Sequence, residues 1–155
     1  MEIPVKLPLD HDGFLRRQCP RCERCFKWFN GQTEDAPVEL PGAKTYFCPY
    51  CGEESATDQW YTNEQVDYIQ AIAAQEALKL VDQELQPSID ALNRTSGGLL
   101  KAELDIPYSN PPGPLVEPDD MVAVASPCHP HEPIKIVEAW DEPIHCLVCG
   151  ELFRV

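Results

Sequence analysis

The sequence predicts a small α+β protein in which two cysteine-bearing β-hairpin modules bracket one long helix. Three observations lead there. Six of the eight cysteines fall in C-x2-C pairs, at Cys19/Cys22, Cys48/Cys51 and Cys146/Cys149. Between the second and third pairs, a capping signal opens a run with helical apolar periodicity. The 16 prolines exceed what a compact fold usually carries, so part of the chain is expected to be extended.

At 155 residues the chain has room for one ordinary domain or two small ones. Met1-Glu2-Ile3-Pro4-Val5-Lys6 holds no apolar leader, and nothing later approaches 18 consecutive apolar residues, so neither export nor a membrane partner is signalled. The expected location is cytoplasmic, where thiols stay reduced, and the cysteines therefore read as metal ligands rather than disulfides. The net charge of −14 lies wholly after residue 52. Residues 1–52 hold seven Lys/Arg and seven Asp/Glu, while 53–155 hold five and nineteen. An acidic body disfavours long-range attraction to phosphate and suits a protein partner with a basic surface.

The first knuckle stands in Arg16-Arg17-Gln18-Cys19-Pro20-Arg21-Cys22-Glu23-Arg24-Cys25. Two residues between thiols let both sulfurs reach one metal from a tight turn, with backbone amides aimed at them. A glycine afterwards, as in Cys51-Gly52 and Cys149-Gly150, can take the positive φ that the turn wants. Structural zinc takes four donors, so the pairs combine in twos, and Cys19, Cys22, Cys48 and Cys51 make the first site. Residues 14–52 here resemble the zinc-ribbon family, whose pattern is a C-P-x-C knuckle, a β-hairpin and a second C-P-x-C-G knuckle. Phe26-Lys27-Trp28-Phe29 reads as the strand leaving the first knuckle and Lys44-Thr45-Tyr46-Phe47 as the strand delivering Cys48, with turn signals at Asn30-Gly31 and Pro41-Gly42 between them.

Cys25 is the odd thiol. By spacing alone it could replace Cys19 as the partner of Cys22. The C-x2-C-x2-C run also resembles the opening of bacterial ferredoxins, but those continue with x3-C-P, and the fourth residue after Cys25 is Phe29. Cys25 is then either a packed free thiol or a thiolate activated by Arg24 and Lys27.

The second site needs two donors beside Cys146 and Cys149, and Ser126-Pro127-Cys128-His129-Pro130-His131 supplies them. Cys128 and His131 have the knuckle spacing, whereas His129 is adjacent to Cys128, so Cys128, His131, Cys146 and Cys149 are the expected set, with His129 the alternative. Residues 122–155 also resemble a zinc ribbon, with a hairpin through Ile134-Lys135-Ile136-Val137. His145 is expected to stay outside the metal's first shell. Segments this short cannot fold on apolar burial alone, and structural zinc supplies about 10 to 16 kcal/mol of apparent binding energy. Two zinc ions are therefore the expected cofactors.

Between the sites, Thr62-Asn63-Glu64-Gln65 is a capping box. Ala74, Leu78, Val81, Leu85, Ile89 and Leu92 then recur every three or four residues as one apolar stripe. The stripe runs past Pro87, which predicts a kinked helix ended by Gly97-Gly98. Its length offers either packing against the ribbons or a homodimer through the stripe. Leu99–Ile106 and Met121–Ala125 read as strands that could pair. The intervening Pro107-Tyr108-Ser109-Asn110-Pro111-Pro112-Gly113-Pro114 reads as an extended connector, or as a segment for docking in an aromatic groove. The expected organisation is a zinc ribbon at 1–58, the helix at 59–97, strand and connector at 98–120, and a second zinc ribbon at 121–155.

Arg16, Arg17, Arg21, Arg24, Lys27 and Trp28 form a candidate binding face, a mix of cations and an aromatic that suits phosphate contact and stacking. The same cations could instead neutralise a zinc–thiolate centre, which makes nucleic acid the lesser partner. Closed four-donor sites do not activate water, so a non-catalytic adaptor or regulatory role is expected over an enzyme. His131-Glu132 lacks the H-x-E and P-C-x-x-C order of a zinc deaminase.

Overall fold

The computed structural model describes residues 2–37 and 42–155, so Pro41 of the Pro41-Gly42 turn signal lies outside the described residues. The described chain is α+β, with eight short strands and one long helix. The order is β1 (Phe14–Gln18), β2 (Cys25–Phe29), β3 (Thr45–Phe47), β4 (Glu54–Ala56), α1 (Asn63–Thr95), β5 (Val122–Val124), β6 (Ile134–Ile136), β7 (Ile144–His145) and β8 (Leu152–Phe153).

Every strand pair is antiparallel, and each knuckle sits at the tip of a hairpin. Cys19/Cys22 join β1 to β2, Cys48/Cys51 join β3 to β4, Cys128 lies between β5 and β6, and Cys146/Cys149 join β7 to β8. Among the described residues, β2 and β3 do not form the expected hairpin between knuckles, since each pairs elsewhere. One sheet runs β1-β2-β6-β5, with β2 bonded to β6 through Lys27↔Lys135 and Trp28↔Ile134. By backbone contacts, Leu7–Gln65 and Leu115–Val155 form one compact unit, while residues up to Lys6 and Val66–Pro114 form another.

The knuckle unit repeats itself about an approximate two-fold. Phe47 N–H donates to the Leu147 carbonyl at 2.9 Å, and the equivalent His145 N–H donates to Pro49 at 2.8 Å. Gly52 and Gly150 share φ of 73°. A Cβ on Gly52 would lie 2.8 Å from the His145 ring, and one on Gly150 would lie 2.7 Å from the Phe47 ring. Both glycines are thus fixed twice, by conformation and by close approach. The core between the halves gathers Leu15, Phe26, Trp28, Trp60, Ile134, Ile136, Ile144 and Leu147.

The capping box forms as expected. Thr62 Oγ1 accepts from Gln65 N–H and Gln65 Oε1 accepts from Thr62 N–H, both at 3.1 Å. Gln65 also donates to the Arg16 carbonyl at 3.0 Å, which ties the first turn to β1. The helix continues through Pro87 to Thr95, and Gly97 and Gly98 follow with positive φ. Its 33 residues span about 50 Å at 1.5 Å per residue.

Leu99–Ile106 is not a strand. Within it the Ala102 N–H and carbonyl are both taken by the Asn93 side chain, at 2.8 Å each, so this residue has no backbone group left for a strand partner. Further on, Gln75 donates to the Ser109 carbonyl at 2.9 Å, and the extended proline-rich segment returns along α1 within the same unit.

Candidate metal centres

Cys19, Cys22, Cys48 and Cys51 come together with all four sulfurs within 4.8 Å of one another. Cys19 lies 3.6 Å from Cys51 and Cys22 lies 3.8 Å from Cys48, far beyond a disulfide bond of about 2.05 Å, so these are thiols facing a common centre. The amides of Arg21 and Cys22 both point at Cys19 Sγ from 3.4 Å, as the two-residue turn requires. Cys19 and Cys48 are completely buried. Burial pushes both thiols up, which a cation at the centre would offset by favouring their thiolates. Four soft donors in a closed group fit zinc.

The second group is Cys128, His129, Cys146 and Cys149, again within 4.8 Å. His129, not His131, supplies the imidazole, with Nδ1 3.5 Å from Cys146 Sγ. The expected C-x2-H turn fails for a local reason. Ser126 Oγ accepts from His129 N–H at 3.1 Å, closing a turn that swings this ring inward, and a following turn from Glu132 N–H to the His129 carbonyl carries His131 past the centre. The His145 Nδ1–H donates to the Gly150 carbonyl at 2.8 Å and takes no part in the group.

Ser126 is the residue that ligand spacing does not reveal. It is buried, and its hydroxyl stands 3.2 Å from Cys146 Sγ. Burial works against the Cys146 thiolate, but the Ser126 hydroxyl and the amides of Cys149 and Val148 outweigh it and bring this thiol down to about 6. Cys128 and Cys149, 3.4 Å apart, are exposed, so the second centre is the more open of the two. A cavity of about 250 Å3 lined by Tyr46, His129, His131 and Glu132 borders it.

The six residues of the candidate binding face differ in exposure. Lys27 is fully buried, and Arg17 and Trp28 are largely buried. Arg17 packs 4.5 Å over Trp28 and 4.9 Å over Tyr61. Arg16 binds Glu117 at 2.8 Å and also Asp120. Lys27 contacts Asp10 at 3.1 Å and Glu117 at 3.1 Å. Carboxylates, not zinc thiolates, therefore neutralise Arg16 and Lys27. Arg21 and Arg24 alone among the six remain exposed, with Arg21 paired to Glu53 and Arg24 over the Trp140 ring. Cys25 is half-buried, and burial raises its thiol despite the neighbouring Arg16, which is the packed-thiol reading rather than the activated one.

Among the described residues, no helix is long and apolar enough to cross a membrane. The chain matches no protein-family model, no curated protein and no solved structure. The class that fold and site define is a small α+β protein with two groups of cysteine and histidine donors able to hold metal ions.

Proposed function

We propose that this protein is a non-catalytic zinc-binding adaptor or regulatory subunit that acts through protein–protein interaction. Each centre holds one zinc ion with four donors of the chain, and the two ions fix the hairpin tips of the knuckle unit. The observation that carries this reading is the pair of four-donor groups, seven thiols and one imidazole in all, with Cys25 the one cysteine outside them. Four protein donors leave no position for an activated water, so the cavity beside His129 borders a structural ion rather than a catalytic one.

The net charge of −14 favours a partner with a basic surface. Nucleic-acid binding through the first knuckle is disfavoured by the burial of Arg17, Lys27 and Trp28. The deciding experiment pairs affinity capture from extract with titration of short DNA and RNA at physiological salt. Protein partners with no measurable oligonucleotide affinity support the adaptor. A sub-micromolar, salt-sensitive oligonucleotide affinity lost on Arg21→Glu and Arg24→Glu, with metal retained, overturns it.

A further inference from the structure

The unit built on α1 is unlike the knuckle unit in what it exposes. Of the fifteen exposed large apolar side chains among the described residues, eight lie between Val66 and Tyr108, and Gln65 is the only fully buried residue of the helix. The apolar stripe of α1 fits a heptad. Leu78, Leu85 and Leu92 take one seam position, and Ala74, Val81 and Ser88 take the other. Val81, Leu85 and Leu92 are 46%, 44% and 49% exposed. The chain returning after α1 leaves these three exposed: its contacts at Gln75, Lys79 and Asn93 lie about a third of a turn round the helix at 3.6 residues per turn, and it comes nearest the seam at Asp82, which accepts a hydrogen bond from the Tyr108 hydroxyl. Pro87 falls on the side away from the seam, so the seam is continuous across it.

The positions flanking the seam carry two charges, Asp82 and Glu84, both acidic. Among the described residues neither is in an ion pair, while the nearby Lys79 is taken by Glu76 at 2.7 Å. A second copy would bring acid against acid if antiparallel and would leave both acids facing Ala77 and Ile89 if parallel, whereas a partner with lysine or arginine at its own flanking positions would meet opposite charge. We propose that the seam of α1, centred on Val81 and Leu85 between Asp82 and Glu84, docks one amphipathic helix of a protein partner that is basic along both flanks. The proposal rests on the adaptor reading and names its docking face.

The test uses the full zinc-loaded chain and a synthetic 21-residue helix with leucine at seam positions and lysine at flanking positions, followed by fluorescence anisotropy. The expected result is saturable binding, weakened about tenfold or more by Val81→Asp with Leu85→Asp. Asp82→Lys with Glu84→Lys, which keeps the apolar seam, moves the preference to the same peptide with glutamate flanks. Circular dichroism and metal content stay unchanged in both variants. Equal binding of a scrambled peptide of identical composition overturns the proposal, as does undiminished binding by the Val81→Asp, Leu85→Asp chain. A concentration-dependent dimer abolished by that variant in sedimentation equilibrium makes a second copy the occupant and also overturns it. A cellular partner held equally by wild type and variant sinks this seam while leaving the adaptor reading standing.

Discussion

Lys27 and Lys135 face each other as cross-strand partners of β2 and β6, and both ammonium groups reach the same oxygen, Oδ2 of Asp10, at 3.1 Å and 2.8 Å. Two like charges directly opposite in a sheet repel. Here a buried carboxylate sits between them, with Glu117 and Asp120 on the Lys27 side and Asp12 and Asp119 on the Lys135 side. This network joins the two halves of the knuckle unit at their approximate two-fold.

Removing the shared carboxylate leaves two buried cations without their common partner. Asp10→Ala is expected to lower unfolding stability by about 3 to 5 kcal/mol, read from the urea midpoint of zinc-loaded protein. A change within experimental error would show that the network carries no net stability.

The same carboxylate sets a pH dependence. Burial opposes ionisation of Asp10, but hydrogen bonds from Lys135, the Phe14 amide and Lys27 outweigh it and hold its pKa below the carboxylate range. A depressed folded pKa stabilises above the unfolded value of about 3.9 and loses that stabilisation as pH falls toward the folded one. The stability gap between wild type and Asp10→Asn should be constant from pH 7 to about 5 and shrink below about 4. A gap that widens in acid would reverse the sign of the argument.

The histidines separate by one substitution each. His129→Ala should lose one metal equivalent and leave the first centre filled, while His131→Ala should keep both, as measured by metal analysis after gel filtration. Equal loss in the two variants would remove His129 from the donor set.

Ser126→Ala should weaken the second centre about tenfold to hundredfold in competition with a chromogenic chelator, because the hydroxyl next to Cys146 Sγ is lost. The first centre should be unaffected. An unchanged chelator titration would reduce Ser126 to a turn residue.

Exposure orders metal removal. Cys19 and Cys48 are wholly enclosed, whereas Cys128 and Cys149 face solvent. Alkylation with a thiol reagent under chelation should label Cys128, Cys149 and the exposed Cys51 before Cys19 and Cys48, by peptide mass spectrometry. Earlier labelling of Cys19 or Cys48 would contradict the relative openness of the two centres.

The knuckles were legible because metal donors need fixed spacing, and spacing survives in one dimension. The capping box at Thr62 and Gln65 was legible for the same reason. The sheet was not, since β2 and β6 pair across more than a hundred residues and neither carries a mark of the other. Lys27 reads from the sequence as part of a cationic face, and like Lys135 it alternates with apolar residues, which normally places a charge on the wet face of a strand. The opposite face is instead covered by Glu117-Pro118-Asp119-Asp120, a segment no local pattern connects to either strand. The choice between His129 and His131 turned on one Ser126 hydrogen bond that spacing does not encode.

Zinc K-edge X-ray absorption on the purified chain, with metal quantified in the same sample, tests the closed-centre account most directly. Two zinc ions per chain sharing seven sulfurs and one imidazole nitrogen, with no oxygen shell, is the predicted result. A water or carboxylate oxygen in the average first shell, or a single zinc ion per chain, would contradict it and return the cavity beside His129 to consideration as a catalytic site.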